Sequence, residues 1–387
     1  MGQRLVPGDG TIGILGGGQL GRMMALAARA LGLSTVIWEP GGAGPASEAA
    51  DDLIAEPFDS PLGLEIFAKR VQCVTYEFEN VSVEAAEALQ KWIPVFPPPE
   101  LLSVSQHRLR EKDRARELGL KTTAYRGVTS PEEAQTAAER LGVPGILKTV
   151  SGGYDGKGQQ RVSRSEEAGA AYLRLAPTGA TLIYERLVSF SQEISVVVAR
   201  DQSGTIEPYP VAENHHHQGI LDYSIVPARV SDTVAAQALH QARVMAEGLG
   251  LVGVMALEYF VTPDDQVLFN EMAPRPHNSG HWTIEAAAPS QFSQHMRAVA
   301  GWPIAPVRLL SPVVMVNLLG DLFPAGTLNL PDVLSVEGVQ LHWYGKKDMR
   351  PGRKVGHLTV LGSSVGEALV RAREAKARLG GVWHDGA

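Results

Sequence analysis

The residues with the clearest chemical potential are two lysines at a glycine-rich loop and two glutamates that follow about a hundred residues later. Lys148 ends a short apolar run, and the segment 152–158 then reads Gly-Gly-Tyr-Asp-Gly-Lys-Gly, which includes Lys157. Glycines let backbone N–H groups approach phosphate oxygens without obstruction by a Cβ atom. Glu258 and Glu271 lie within apolar segments, and Mg²⁺ prefers carboxylate oxygens of this kind while it bridges phosphates. The combination is typical of a site for a nucleoside triphosphate with magnesium.

Each half of this combination is weak evidence by itself. A glycine loop is also found in a plain β-hairpin turn, and the P-loop pattern G-x-x-x-x-G-K-[ST] does not occur in the chain. A single glutamate within a strand is most simply a solvent-facing residue. Two glutamates on neighbouring strands, with Asn270 beside Glu271, favour a metal site because two carboxylates and an amide would share one face of the sheet.

A second glycine motif, Gly-Gly-Gly-Gln-Leu-Gly at 16–21, follows the apolar run 11–15. Three interpretations are open. It matches the dinucleotide fingerprint G-x-G-x-x-G, with Glu39 near the position of a ribose-binding acid. It is also compatible with a tight strand-to-helix turn, or with an anion site for a phosphate-bearing substrate at the helix N-terminus. Since no oxidoreductase residues follow, we favour the substrate site.

Composition limits the class of protein. With 387 residues, 44% of them apolar and 20% charged, the chain is expected to form two to four soluble domains. A formal charge of −7 disfavours extensive contact with nucleic acid or an anionic membrane. The one cysteine, Cys73, lies in an apolar run and excludes an internal disulfide. We therefore expect a cytoplasmic protein.

The elements that must position these residues follow from hydrophobic periodicity. Short apolar runs alternate with helical patterns over 11–100, which predicts a parallel doubly wound sheet that ends before Pro97-Pro98-Pro99. A charged helix is predicted over 105–118, and its side chains should mostly face solvent, with Arg108 as the one expected to face the site. Two strands, 254–261 and 267–272, carry the glutamates, and the chain becomes β-rich from about 303.

Several strings of the chain resemble the ATP-grasp superfamily and, within it, the 5-(carboxyamino)imidazole ribonucleotide synthetases of purine biosynthesis. The resemblance runs in order from residue 11 to about 361. The strings are Gly-Gly-Gly-Gln-Leu-Gly-Arg-Met (16–23), Tyr-Glu-Phe-Glu-Asn-Val (76–81), Gly-Gly-Tyr-Asp-Gly-Lys-Gly-Gln (152–159), Asn-Glu-Met-Ala-Pro-Arg-Pro-His-Asn-Ser-Gly-His (270–281) and Arg-Pro-Gly-Arg-Lys-Val-Gly-His (350–357). The last two are more specific than a general ATP-grasp signature.

The resemblance implies an α/β and α+β ATP-grasp fold in three parts. These are a Rossmann-like pre-ATP-grasp domain (1–104), a small lid domain with the glycine flap (105–185), and a large domain (186–387) with a β-rich C-terminal extension. It also implies a ligase that uses ATP, Mg²⁺ and bicarbonate. Carboxyphosphate would form first, and the amine of 5-aminoimidazole ribonucleotide would then capture its carboxyl group. A homodimer is usual in this family, and a mutase is a possible recipient of the product.

Site residues are implied by matching the family motifs position by position. The catalytic group would be Tyr154, Asp155, Lys157, Arg275 and His277. The ATP site would comprise Arg108, Lys148, Gly153, Tyr154, Asp155, Gly156, Lys157, Gly158, Gln159, Glu185, Arg186, Leu187, Val188, Glu193, His216, Asn270 and Glu271. The ribonucleotide site would comprise Gln19, Leu20, Glu77, Asn278, Ser279, Lys346 and Arg353, and the magnesium ligands would be Glu258 and Glu271.

The chain departs from the family pattern in one place, where it has His215-His216-His217 instead of one histidine. Adjacent residues of a strand alternate sides, so three histidines in a row do not suit one metal. Which of them lies at the nucleotide is open, as is the choice between Lys346 and Lys347 at the phosphate.

Three other classes of protein are alternatives. The first is another ATP-grasp ligase, such as a formate-using transformylase or a biotin-carboxylase-like protein. The second is a nucleotide sensor without catalysis, and the third is a Rossmann dehydrogenase. The string 350–357 argues against the first, and Tyr154, Asp155, Arg275 and His277 argue against the second.

Overall fold

The structure is a computed structural model that describes residues 4–152, 158–323 and 330–384. The predicted flap residues Gly153, Tyr154, Asp155, Gly156 and Lys157 lie outside the described residues. None of the described helices is both long and apolar enough to cross a membrane.

The first domain is a four-stranded parallel sheet flanked by helices, as the alternating pattern predicts. Its strand order is β3-β2-β1-β4. The elements are β1 Thr11–Leu15, α1 Gln19–Ala30, β2 Ser34–Trp38, β3 Asp52–Ile54, α2 Pro61–Arg70, β4 Cys73–Tyr76, α3 Val83–Gln90 and α4 Pro99–Ser105. Cys73 is buried in this core, and burial raises the pKa of its thiol to about 12. It is a packing residue.

Helix α5, Arg108–Glu117, differs from the prediction in its surroundings. Glu111 and Lys112 are 3% and 2% exposed, and Ala115 is fully buried. The helix packs on the strand Val267–Ala273 of the last domain, although the prediction assigned it to the lid. The expectation of a solvated face is therefore wrong for these positions, because a neighbouring strand covers a helix whose sequence has no apolar stripe.

The small domain is an antiparallel sheet with the order β5-β8-β6-β7, covered by two helices. Its elements are β5 Tyr125–Val128, α6 Pro131–Leu141, β6 Gly145–Thr149, β7 Gln159–Val162, α7 Ala168–Leu175 and β8 Leu182–Arg186. Lys148 lies on β6, just before the glycine loop.

The large domain has a nine-stranded sheet with the order β14-β13-β9-β11-β12-β17-β19-β18, in which β10 pairs with β9, and a separate two-stranded sheet of β15 and β16. The first part comprises β9 Gln192–Arg200, β10 Ile206–Pro208, β11 Ala212–His217, β12 Ile220–Val226, α8 Asp232–Gly248, β13 Gly253–Val261 and β14 Val267–Ala273. The second part comprises α9 Thr283–Ala286, β15 Ala287–Ala288, α10 Gln291–Val299, β16 Arg308–Leu309, β17 Val313–Leu319, α11 Leu330–Leu334, β18 Val339–Trp343, β19 Lys354–Leu361 and α12 Val365–Arg378. The predicted β-rich extension thus continues the sheet that carries the glutamates.

The hairpin between β11 and β12 has two local irregularities. Gln218 and Gly219 have φ of 51° and 79°, the left-handed conformation that two-residue hairpin turns require. The register of β11 and β12 then shifts by one residue: His216 opposes Leu221, whereas His215 opposes Tyr223. Asp222 is the extra residue of this bulge, and a bulge turns two consecutive side chains toward one face of the sheet.

Candidate active site

The two predicted metal ligands face each other across paired strands. Glu258 on β13 is the direct partner of Glu271 on β14, and the register shift that follows leaves Asn270 as an extra residue. Burial raises the pKa of Glu258 to about 7, and the negative charge of Glu271 acts in the same direction. A divalent cation would relieve this repulsion with the oxygen ligands it prefers, so these residues fit magnesium. Among described residues no cluster of three His, Cys, Asp or Glu suits a metal, and Mg²⁺ bound through phosphates needs only one or two carboxylates.

A buried carboxylate connects the small domain to this strand pair. Glu185 Oε2 lies 3.4 Å from Lys148 Nζ and 3.5 Å from Lys112 Nζ. Burial acts to raise the Glu185 pKa, but the two ammonium groups outweigh it and hold that pKa below its usual range. Lys112 Nζ also donates to the carbonyl of Asn270 at 3.1 Å. Lys112 therefore links the Glu185 carboxylate of the small domain to β14, a role that sequence analysis missed.

Glu111 is a second residue that the sequence did not indicate. Its Oε1 accepts a hydrogen bond from the backbone N–H of Met272 at 2.6 Å. Burial, followed by the charge of Glu271, raises its pKa to about 8. Glu111 reaches this position only because α5 packs on β14, and the sequence around Glu111 does not indicate that contact. Glu111 fixes the backbone next to Glu271.

Arg275 and His277 follow β14 and point into the same region. The Arg275 guanidinium forms an ion pair with Glu79 of the first domain. His277 Nε2 lies 3.4 Å from Glu258 Oε1, and its Nδ1 lies 2.9 Å from the Ser279 hydroxyl. Burial and the nearby Arg275 charge lower the pKa of His277 well below its usual value, so the ring is neutral at pH 7.

The histidine triple on β11 separates into three environments. His216 Nδ1 is 3.1 Å from Glu193 Oε2. Burial acts to lower the His216 pKa, but the nearby Glu193 carboxylate outweighs it and raises that pKa. His215 Nε2 lies 2.7 Å from Glu213 Oε1, and His217 stacks on His384.

The backbone N–H groups of the first glycine motif donate hydrogen bonds to glutamate side chains of the protein itself. Glu77 accepts hydrogen bonds from Gly18 N–H at 2.8 Å and Gly21 N–H at 3.1 Å, and Glu39 accepts one from Gly17 N–H at 2.8 Å. A phosphate would therefore have to displace Glu77 or Glu39 to reach these three N–H groups, and the favoured interpretation, a substrate site at this motif, stays a prediction. Gln19 and Leu20 begin α1 beside Glu77, whose pKa is raised by burial.

A basic loop of the C-terminal part lies near Glu77. Burial, together with the positive charge of Arg353 and against the opposing effect of Glu77, lowers the pKa of Lys346 to about 8. Arg353 Nη1 pairs with Asp348 at 2.8 Å. Lys347 is exposed and Lys346 half-buried, which favours Lys346 as the residue directed inward.

A cavity of about 580 Å³ joins most of these groups. The predicted residues that line it are Arg108, Lys148, Gln159, Glu193, His216, Glu258, Asn270, Glu271, Arg275, His277 and Asn278. Its lining also includes Glu79, Glu111 and Lys354, to which sequence analysis assigned no role. Both polar side-chain atoms of Asn278 are buried without a hydrogen-bond partner among the described residues, as expected for a group that binds a ligand.

The remaining predicted residues lie outside this lining. Ser279 is buried, and its hydroxyl bonds to Ser195 and His277, so it supports the site from behind. Gly158 accepts a hydrogen bond from Thr149 N–H at 2.9 Å. Arg186, Leu187 and Val188 follow Glu185 at the end of β8, where Arg186 N–H and Leu187 N–H donate to the carbonyls of Ala124 and Pro144. Contacts of these residues with a ligand stay predictions.

Comparison with known domain families covers most of the chain. A ribonucleotide synthetase preATP-grasp domain matches residues 10–106, an ATP-grasp domain matches 113–292, and a phosphoribosylaminoimidazole carboxylase C-terminal domain matches 313–371. The N5-carboxyaminoimidazole ribonucleotide synthase of Brucella melitensis biotype 1 is 45% identical over 355 residues, which are 92% of this chain and 97% of that protein.

Solved structures agree with this similarity. The crystal structure of an ADP complex of an N5-carboxyaminoimidazole ribonucleotide synthetase has a TM-score of 0.90 and 41% identity, and covers 97% of this chain and 98% of that one. The N5-carboxyaminoimidazole synthase of Aspergillus clavatus in complex with ADP and 5-aminoimidazole ribonucleotide has a TM-score of 0.88 and 28% identity, over 97% and 100% of the two chains. The predicted fold class, with its N-terminal pre-ATP-grasp domain, is confirmed.

Proposed function

We propose that the cavity described above holds the reacting groups of a ligase. The chain belongs to the N5-carboxyaminoimidazole ribonucleotide synthase family and carboxylates 5-aminoimidazole ribonucleotide with ATP. ADP, phosphate and the 5-carboxyamino ribonucleotide are the products. The reaction forms a carbon–nitrogen bond in purine biosynthesis.

The observation that carries the site assignment is that acidic and basic side chains line the same cavity. Glu258 and Glu271 line it together with Arg108, Lys148 and Lys354. Carboxylates that hold a divalent cation and side chains that neutralise phosphate oxygens are the two requirements of phosphoryl transfer. We assign Glu258 and Glu271, with Asn270 beside them, to the cation, and Arg108 and Lys148 to the phosphates.

Mg²⁺, when bound, would neutralise charge on the transferring phosphoryl group. Arg108 and Lys148 would orient the triphosphate so that a bicarbonate oxygen attacks the γ-phosphorus and ADP leaves. Glu193 would bind the ribose hydroxyls of ATP with His216 beside it, and Glu185 with Arg186, Leu187 and Val188 would meet the adenine. Gly158 and Gln159 would flank the flap.

Arg275 and His277 would act on the carboxyphosphate that results. The guanidinium, held by Glu79, supplies positive charge to the leaving phosphate. The neutral His277 imidazole can accept the proton that the attacking amine loses as its nitrogen bonds to the carboxyl carbon. Tyr154, Asp155 and Lys157 belong to the proposed flap over this intermediate, which must be kept from water.

The ribonucleotide would lie between the first domain and the C-terminal basic loop. Lys346 and Arg353 suit its 5′-phosphate, while Gln19, Leu20, Glu77 and Asn278 would meet the sugar and imidazole, with Ser279 supporting His277. We further propose a cytoplasmic homodimer that passes its labile product to a mutase.

The decisive assay is ADP release from ATP with magnesium and bicarbonate, with and without 5-aminoimidazole ribonucleotide. We expect the ribonucleotide to stimulate ADP release strongly and the stimulation to disappear without bicarbonate. Unchanged ADP release on adding the ribonucleotide would refute the assignment of substrate to this cavity, and other carboxyl or formyl acceptors would then be tested.

A further inference from the structure

The segment after α12 returns to the sheet and packs on the face of β11 and β12 opposite the cavity. Trp383 stacks against Tyr223 with a centroid distance of 4.2 Å. The rings of His384 and His217 are 3.7 Å apart and nearly parallel, with an interplanar angle of 12°. His384 Nδ1 also lies 3.3 Å from Asp222 Oδ2. We call residues 381–384 the C-terminal strap.

The strap engages those histidines that do not face the cavity. His215 stacks on Tyr223 at 4.3 Å, so the Tyr223 ring lies between His215 and Trp383. His217 is covered by His384. His215 and His217, which flank the cavity-facing His216, therefore complete this aromatic layer.

The bulge in β12 is what allows this packing. Because Asp222 is the extra residue, Asp222 and Tyr223 both turn toward α12 and the strap. Asp222 accepts from Lys376 Nζ of α12 at 2.6 Å and 2.7 Å, and the Lys376 side chain is only 4% exposed. Trp383 also lies beneath two cations, with Arg373 Cζ at 5.5 Å and Lys376 Nζ at 5.6 Å from its ring, which adds cation–π attraction.

The other face of the same hairpin belongs to the active site. His216, Gly219 and Leu221 line the cavity, and His216 contacts Glu193 at 3.1 Å. A strand cannot rotate or slip without moving the side chains of both faces, since neighbouring residues share one backbone. Whatever holds His215, His217 and Tyr223 consequently also fixes His216.

We propose that Trp383 and His384 are positioning residues for the nucleotide site, acting through β11 on His216 and its contact with Glu193. The strap stays outside the cavity and touches no reacting group. This inference rests on the proposed placement of ATP beside Glu193 and His216. It predicts that losing the aromatic layer impairs nucleotide binding while the ribonucleotide site is spared.

The test compares steady-state constants for ATP and for the ribonucleotide in the full chain. Trp383→Ala combined with His384→Ala should raise KM for ATP about 5- to 30-fold, the size expected when about one to two kcal/mol of positioning is lost, and leave KM for the ribonucleotide within twofold. Trp383→Phe should retain wild-type constants, because Phe keeps the stack and the indole N–H makes no hydrogen bond to any described residue. Val382→Ala is the matched control, as that side chain is 68% exposed in the same segment.

Two outcomes would overturn the proposal. One is an unchanged KM for ATP in the double variant, even with a lower melting temperature. The other is an equal rise of both KM values, which would indicate general loosening. His216→Ala separates this inference from the proposed function. If His216→Ala raises KM for ATP and the double variant does not, only the strap proposal fails, whereas no effect of His216→Ala removes the nucleotide assignment itself.

Discussion

Glu258 and Glu271 face each other on paired strands, and they are the proposed magnesium ligands. Each carboxylate disfavours the charge of the other unless a cation lies between them. We expect Glu271→Gln to lower kcat/KM for ATP on the order of 100-fold, or about 2.7 kcal/mol of transition-state stabilisation. The measurement is ADP release over a range of magnesium concentrations.

Glu139→Gln, an exposed substitution on α6, is the matched control for Glu271→Gln and should behave as wild type. Near-normal turnover of Glu271→Gln at low magnesium would contradict the metal assignment, because an amide oxygen carries no charge to hold the ion.

The lowered pKa of Lys346 predicts a pH dependence of ribonucleotide use. Burial brings that pKa down to about 8 from 10.5, so the ammonium is charged below pH 8 and loses its proton above it. Attraction for a phosphate is thus present at low pH and lost as pH rises through 8. We expect kcat/KM for the ribonucleotide to fall above pH 8.

Lys346→Arg should move this fall to higher pH, since guanidinium stays protonated, while Lys347→Arg should leave it in place. Identical pH profiles for wild type and Lys346→Arg would show that another group titrates. The pair of variants also decides which of the two lysines meets the phosphate.

At the scale of elements, the start of α1 is organised by the Glu77 carboxylate. An alanine Cβ at Gly18 would lie 2.5 Å from Glu77 Oε1, so Gly18→Ala must displace the carboxylate from the helix N-terminus. We expect a loss of about 1–2 kcal/mol of unfolding free energy and a raised KM for the ribonucleotide. Urea denaturation and initial rates measure the two effects.

Gly366→Ala is the control for Gly18→Ala. It lies in α12, where the nearest atom to its added Cβ is 3.9 Å away, and alanine favours helix over glycine. Unaltered ribonucleotide kinetics in Gly18→Ala would mean that Glu77 serves only to cap the helix.

Sequence patterns predicted those parts of the site that depend on local order. Alternating apolar residues placed Glu258 and Glu271 on adjacent strands, and the glycines at 16–21 predicted the turn into α1. The sequence did not predict which residues become extra in the bulges at Asn270 and Asp222, because register depends on both strands of a pair. The burial of Glu111 and Lys112 also escaped prediction, since their cover comes from a strand some 160 residues away.

At the scale of the whole molecule, the ion pair of Glu79 with Arg275 joins the first domain to the segment that follows β14. The Arg275 side chain is 12% exposed, and removing its partner would leave a poorly hydrated charge. We expect Glu79→Gln to cost about 1.5–3 kcal/mol of unfolding free energy and to lower kcat. Denaturant midpoints and turnover measure both.

Glu87→Gln on α3 changes the same domain at an exposed position and should alter neither quantity. A Glu79→Gln enzyme with normal turnover would show that Arg275 is held in place without the first domain.

The curvature of the nine-stranded sheet has a consequence for the fate of carboxyphosphate. β13 and β19 are separated by five inter-strand steps, or about 24 Å in a flat sheet, yet Glu258 and Lys354 line the same cavity. The sheet must therefore curve around that cavity. Carboxyphosphate that forms beside β13 would already be enclosed by β19 on the other side. A scavenger such as hydroxylamine in the surrounding buffer should therefore intercept very little carboxyphosphate during turnover.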